Sequence, residues 1–133
     1  MSEENVELYR RSIAAWNEGD LDTWLESVAP DWEFRTTGTF PGFKPVYRGP
    51  AGAAEFWETL REPWEEFRIE IVAVRDAGEQ VVGLLKFHGR GRESGVETTL
   101  DYAHVATVVG GQGTLLEGYL SHSAALEAAG LSE

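Results

Sequence analysis

Of the three histidines in this 133-residue chain, His104 alone sits in an otherwise apolar run, Ala103-His104-Val105-Ala106. An imidazole in such a place is suited to moving a proton near neutral pH. Strand alternation, worked out below, predicts that Tyr119 and Glu117 share its face. Tyr119 would then polarise a carbonyl or hold an oxyanion, and Glu117 would orient the ring. The same residues equally suit a purely structural arrangement, a buried histidine paired with tyrosine, because buried polar groups are hydrogen-bonded whether or not they do chemistry.

Other constellations are weaker. His88 and Asp101 look like a catalytic pair by type, yet Lys86, Arg90, Arg92 and Thr99 around them mark a solvated face, where an ion pair contributes little. Ser121, His122 and Asp101 supply hydrolase residue types, but no glycine elbow surrounds Ser121. Gly89-Arg90-Gly91-Arg92 would suit an anion, although alternating glycine in a strand more often marks a bend or a close backbone approach. Cysteine is absent, which excludes thiolate catalysis, disulfides and cysteine metal sites. No converging His and carboxylate set predicts a metal, and no cofactor is implied.

The elements that must position these groups follow from periodicity. Val6, Tyr9, Ile13 and Trp16 recur at helical spacing and predict a helix over 3–17. Gly19 ends it and Asp20 caps a second helix, 21–28, stopped by Pro30. A short strand, 32–37, precedes a Gly- and Pro-rich loop, 38–50, and a third helix, 51–61. Alternation then predicts strands 67–75, 80–92, 96–109 and 114–120, and a closing helix 123–130. The expected architecture is α+β, one domain over 1–133.

Turns set register. A two-residue Ser94-Gly95 loop puts His88 opposite Asp101 and Phe87 opposite Tyr102. A turn centred in 110–113 puts His104 opposite Tyr119 and Ala106 opposite Glu117. One face then carries Leu85, Phe87, Leu100, Tyr102, His104, Glu117 and Tyr119, and curls over the helices to enclose a pocket. A small apolar or aromatic molecule is its expected occupant, with Trp16, Phe34, Tyr47, Trp57, Phe87 and Tyr102 as candidate contacts. Phe40, Phe43 and Tyr47 lie on the loop and would form a lid or rim. The opposite face is charged at one end and apolar at the other, where Leu84, Ala103, Val105, Leu116 and Leu120 would leave an exposed patch. That patch predicts a homodimer through the outer sheet face.

The net charge of −12 opposes binding to nucleic acid. No run approaches the roughly 18 apolar residues that a membrane helix needs, and the acidic start, MSEENVELYRR, lacks an apolar signal core. A cytoplasmic location is the expectation.

The order of Asn17-Glu18-Gly19-Asp20, Tyr47-Arg48-Gly49, Gly89-Arg90-Gly91-Arg92 with Ser94-Gly95, Ala103-His104-Val105, and the ending Tyr119-Leu120 with Ala125-Leu126-Glu127-Ala128-Ala129-Gly130-Leu131 resembles the SnoaL-like proteins of the nuclear transport factor 2-like superfamily. The resemblance covers nearly the whole chain. It implies a cystatin-like cone: a strongly bent, mostly antiparallel sheet wrapped around three N-terminal helices, with a short C-terminal helix, usually dimeric. Relatives include ketosteroid isomerases, polyketide cyclases and epoxide hydrolases. The resemblance therefore implies a hydrophobic pocket and an isomerase, cyclase or hydrolase acting on a carbonyl compound, or a pocket or assembly module without catalysis. The chain departs from these enzymes in three places. No Asp occupies the segment Glu33-Phe34-Arg35-Thr36-Thr37-Gly38, Ser121 stands where many relatives place Asp, and no Asp-Arg-Asp set is found.

Overall fold

The computed structural model describes residues 2–36 and 42–132. The elements run α1 (Ser2–Glu18), α2 (Leu21–Glu26), β1 (Val28–Arg35), β2 (Val46–Arg48), α3 (Gly49–Arg61), β3 (Trp64–Ala77), β4 (Gln80–Gly91), β5 (Glu97–Val109), β6 (Gln112–Tyr119) and α4 (His122–Ala128). The six strands form one sheet in the order β2-β1-β6-β5-β4-β3. Every pairing is antiparallel except that of β1 with β6. This is the expected α+β architecture.

Helix α1 buries Tyr9, Ile13 and Trp16 on one stripe against the sheet, as the i, i+4, i+7 spacing requires. Gly19 takes the left-handed conformation at φ 71°. Asp20 then caps α2 by accepting from the Thr23 amide at 3.2 Å. Helix α2 is shorter than its periodicity suggests: the Ser27 hydroxyl donates to the Trp24 carbonyl at 2.6 Å and closes it, so Val28 and Ala29 enter β1. Pro30 lies inside that strand, within a register break between Val28 and Glu33, where a missing N–H is tolerated. Strand β2, three residues long, lies in the segment expected to be loop.

Strand β3 is an edge, and an open edge invites foreign pairing. Asn17 covers it at one point. Its amide oxygen accepts from the Ile69 N–H at 2.7 Å, and its amide nitrogen donates to the Ile69 carbonyl at 2.9 Å. The side chain thus stands in for a neighbouring strand and ties the end of α1 to the sheet. Arg61 adds a second tie, donating to the Trp16 carbonyl at 2.8 Å while its guanidinium lies over Trp57 and Phe67 at 4.8 and 4.6 Å.

Two turns differ from expectation, with different consequences. Between β4 and β5 the connection is longer than two residues, so Phe87 faces Leu100, His88 faces Thr99 and Lys86 faces Asp101. A shift by two keeps every side chain on its face. Between β5 and β6 the turn is the tight pair Gly110-Gly111, φ 59° and 80°, followed by a register break between Thr107 and Val108. His104 therefore faces Gly118, and Ala106 faces Leu116. A shift by one turns β6 over. Leu116 and Gly118 point inward, and Glu117 and Tyr119 point outward, opposite to expectation.

The outer face is also less open than expected. Helix α4 packs on it, and Ala103 and Val105 are 0% and 1% exposed in a cluster with Val82, Ala125 and Leu126. The apolar end expected to be exposed is thus largely covered by the chain's own last helix, while Leu120 remains 49% exposed.

Replacing Asn17 by Ala removes two hydrogen bonds, each worth about 0.5–1.5 kcal/mol. Expected is a loss of about 1–2 kcal/mol in urea unfolding, with faster amide exchange at Ile69 specifically. Unchanged protection of Ile69 would refute this role.

Candidate functional site

The inner face of the bent sheet and the three N-terminal helices enclose a cavity of about 240 Å³. Trp16, Trp24, Phe56 and Ile69 form its walls, and Leu85, Leu116, Tyr102 and His104 its floor. Ile13, Phe43, Leu60, Pro63, Trp64, Phe87 and Leu100 complete the lining. Pro63 is exposed, which places the mouth near the start of β3. No charged side chain lines the cavity among the described residues. Beneath it, a second cavity of about 60 Å³ shares Ile13, Trp16, Trp24, Leu116 and His104.

His104 is the polar centre. Its cross-strand neighbours are Gly83 on β4 and Gly118 on β6, and both gaps are filled by phenols. A Cβ added at Gly83 would collide with the hydroxyl of Tyr9, and one at Gly118 with the hydroxyl of Tyr102. Tyr9 Oη and His104 Nδ1 lie 3.0 Å apart. Tyr9, Phe34 and Tyr102 stand edge-on to the imidazole, with centroids at 6.1, 6.1 and 4.9 Å.

This setting fixes protonation. Burial penalises the charged imidazole and pushes the pKa of His104 down to about 3, so the ring is neutral at physiological pH. Burial pushes the phenol of Tyr102 up, and burial followed by the nearby Tyr102 does the same to Tyr9. Both stay protonated. His104 and Tyr102 nevertheless keep part of their surface accessible, and the space they face is the cavity.

The expected trio is not assembled. His104 lies inside, but Glu117 and Tyr119 are on the outer face, where Arg35 Nη1 is 4.0 Å from the Glu117 carboxylate. The Tyr119 phenol is pushed up by partial burial and by Glu117. The cause is the one-residue register change after Gly110-Gly111. Of the expected ligand contacts, Trp16, Phe87 and Tyr102 line the cavity, whereas Phe34, Tyr47 and Trp57 form the layer behind it. Phe34 packs on Phe56 at 4.7 Å, Tyr47 accepts from the Lys44 amide at 3.1 Å, and Trp57 backs Trp16 at 4.2 Å. Phe43 lines the cavity, and Phe40 lies outside the described residues.

The remaining candidates have structural partners. His88 bonds Glu70 at 2.8 Å rather than Asp101, which is 3.7 Å from Lys86. His122 donates to the Leu85 carbonyl at 2.9 Å, and the Ser121 hydroxyl caps α4. Arg90 pairs with Glu65 and Glu66, while Arg92 donates to the Glu62 and Trp64 carbonyls. At Gly89, the rings of Phe87 and Trp64 occupy the space of a side chain. Sequence reasoning missed Tyr9 as the partner of His104. The available signal was the pair of glycines, Gly83 and Gly118, interrupting strands on either side of the histidine.

Two outcomes follow. Gly118→Ala forces the Tyr102 hydroxyl aside, an overpacking expected to cost about 1–3 kcal/mol. In a Tyr102→Phe background the cost should fall by at least half, and an unchanged cost in the double-mutant cycle would disprove the contact. For His104, the unfolded chain takes up a proton near the ordinary value of 6.5 that the fold refuses until about pH 3. Stability should therefore be unaffected by this group above pH 6.5 and fall as pH drops from there toward 3, by up to about 1.4 kcal/mol per pH unit. His104→Gln should remove that component, read as the difference between the two proteins in urea unfolding at several pH values. Parallel curves would show that His104 is not held neutral.

Comparison with known proteins agrees with this fold. Residues 9–115 match the model of the SnoaL-like domain. No curated protein matches the chain at a significant level. An NTF2-like protein of unknown function from Burkholderia pseudomallei superposes with a TM-score of 0.81 at 21% identity, covering 93% of this chain and 95% of that one. TerC, crystallised with polyporic acid, gives 0.78 at 24% identity over 96% and 98%. A protein from Catenulispora acidiphila with a ketosteroid isomerase-like fold, in complex with trimethylamine, gives 0.76 at 17% over 95% and 94%. At these identities the structures establish the fold, and the matched domain establishes kinship: the chain belongs to the SnoaL-like family.

Proposed function

We propose that this protein binds a small, uncharged, largely aromatic molecule in the cavity above His104. The observation that carries the reading is a cavity of about 240 Å³ with aromatic walls, no charged lining group and an imidazole and a phenol at its floor. A dry apolar cavity of about 150 Å³ already takes up benzene, so two fused rings fit the space here. A charged ligand would leave water for a site with no counter-charge, at a cost the cavity does not offset. Two proteins of similar fold were crystallised with small molecules, TerC with polyporic acid and the Catenulispora acidiphila protein with trimethylamine.

Binding is favoured over acid–base catalysis. An efficient general base has a pKa near the working pH, and His104 lies far below it. The carboxylate expected to support it, Glu117, is on the other side of the sheet.

The test is calorimetric titration and native mass spectrometry with a panel of neutral one- and two-ring aromatic compounds, followed by product analysis. Expected is one-to-one saturable binding without turnover. Leu100→Trp, which narrows the lining, should weaken binding by about tenfold or more, equivalent to about 1.4 kcal/mol, while the protein stays folded. Failure of the whole panel to bind, or equal binding by the variant, would sink the proposal; turnover lost in His104→Ala would replace it by catalysis.

A further inference from the structure

Tyr9 has one polar partner for its hydroxyl among the described residues, His104 Nδ1 at 3.0 Å. A buried phenol O–H must donate somewhere, and Nδ1 is the acceptor in reach. A ring nitrogen that accepts carries no proton, so the proton of the neutral imidazole sits on Nε2. Nε2 has no hydrogen bond among the described residues. No buried side-chain nitrogen or oxygen is left unpartnered among the described residues, so Nε2 keeps accessible surface, and the space beside His104 is that of the cavities it borders. Gly83 holds the arrangement in place, because any side chain there would occupy the seat of the phenol.

We propose that Tyr9 is a positioning residue that locks His104 as the Nε2–H tautomer, so that the cavity floor offers a donor and selects ligands carrying a neutral acceptor, such as a ketone or quinone carbonyl. The proposal rests on the binding reading above and narrows its ligand class. The groups facing His104 that could alter the tautomer are Tyr9 on α1 and Tyr102 on β5; no carboxylate or cation lines either cavity among the described residues. Without the Tyr9 hydroxyl, no side chain among the described residues holds Nδ1 as the acceptor, and the floor can offer an acceptor as well as a donor.

The experiment has two independent readouts. Nitrogen-15 NMR of histidine-labelled protein reports the tautomer without any ligand. Calorimetric titration with 1-indanone (acceptor), indole (donor) and indane (neither) reports selectivity on one skeleton size. In the wild type, His104 should show a protonated Nε2 and a bare Nδ1, and 1-indanone should bind about five- to tenfold more tightly than indane, the worth of one neutral hydrogen bond, with indole no better than indane. In Tyr9→Phe the two nitrogen signals should move toward each other, the indanone preference should fall to about twofold or less, and indole should gain. A protonated Nδ1 in the wild type, or nitrogen signals unchanged by Tyr9→Phe, overturns the proposal. The expected tautomer with equal binding of indanone and indane overturns the selectivity and leaves the container intact. No binding by any of the three overturns the container reading itself, whatever the tautomer.

Discussion

The row Gly83–His104–Gly118 across three adjacent strands is the constraint on which the rest of the site depends. Cross-strand neighbours on one face stand only about 5 Å apart, so ordinary side chains at 83 and 118 would fill the space beside the imidazole. Two glycines open a gap on either side, and two phenols close them, Tyr9 from α1 and Tyr102 from β5. The hydrogen bond from Tyr9 then joins the first helix to the middle of the sheet. Strand interiors are weakened by glycine, and the packing of the phenols into those gaps returns part of that loss. The buried Nδ1 and the Tyr9 hydroxyl therefore satisfy each other inside an apolar body, and Nε2 is left to the cavity.

The rest of the cone keeps charge away from this row. The ion pairs of the sheet lie on its outer face: Arg35 with Glu33, Lys86 with Asp101, His88 with Glu70 and Arg90 with Glu65. The net charge of −12 is thus carried by surface that the cavity does not see. The positions where enzymes of similar fold are expected to carry an acid are occupied by hydroxyls with structural work. Thr36 is 1% exposed and donates to the Lys44 carbonyl at 2.9 Å, which closes the loop before β2. Ser121 accepts from the Ala124 amide and starts α4. The two places differ: a carboxylate at buried Thr36 would face the Lys44 and Pro45 carbonyls, whereas Ser121 is an exposed helix cap where an aspartate would serve as well.

Most of the architecture is legible in the sequence because it rests on periodicity, which survives small errors. The α1 stripe, the Asp20 cap, α3 and the four long strands are all visible. The candidate site is less legible because it rests on parity. The extra length of the β4–β5 connection displaces register by two and leaves the faces intact. The Gly110-Gly111 turn and the irregularity after it displace register by one, which sends Glu117 and Tyr119 outside and brings Leu116 and Gly118 in. Four consecutive turn-formers, Gly110-Gly111-Gln112-Gly113, leave the length of the turn open in the sequence. Tyr9 was legible as a core residue and not as the partner of a histidine 95 positions away, since helix periodicity names a face but not what that face meets. The outer patch was misjudged for a similar reason: Ala103 and Val105 read as exposed until α4 is docked on them.

Floor and mouth differ in how tightly they are coupled, and under the proposed binding this bears on which ligands such a cone could take. His104, Tyr9, Tyr102, Gly83 and Gly118 form one interlocked set drawn from α1, β4, β5 and β6, in which each residue occupies space that another vacates. Substitutions there are non-additive, because neighbours in contact do not change independently. Six other lining side chains, Phe43, Leu60, Pro63, Trp64, Phe87 and Leu100, come from a loop, the end of a helix and the strands, and all are at least partly accessible. Under the proposed binding they would meet a ligand through shape alone, so one could be enlarged or trimmed with cost confined to its own contacts. A floor that fixes the polar contact and a lining that fixes the outline can therefore vary separately. Under the proposed binding, ligand size would be tuned by exchanging accessible apolar residues, whereas the hydrogen-bonding sense of the site would change only when the tyrosine–histidine pair is rebuilt.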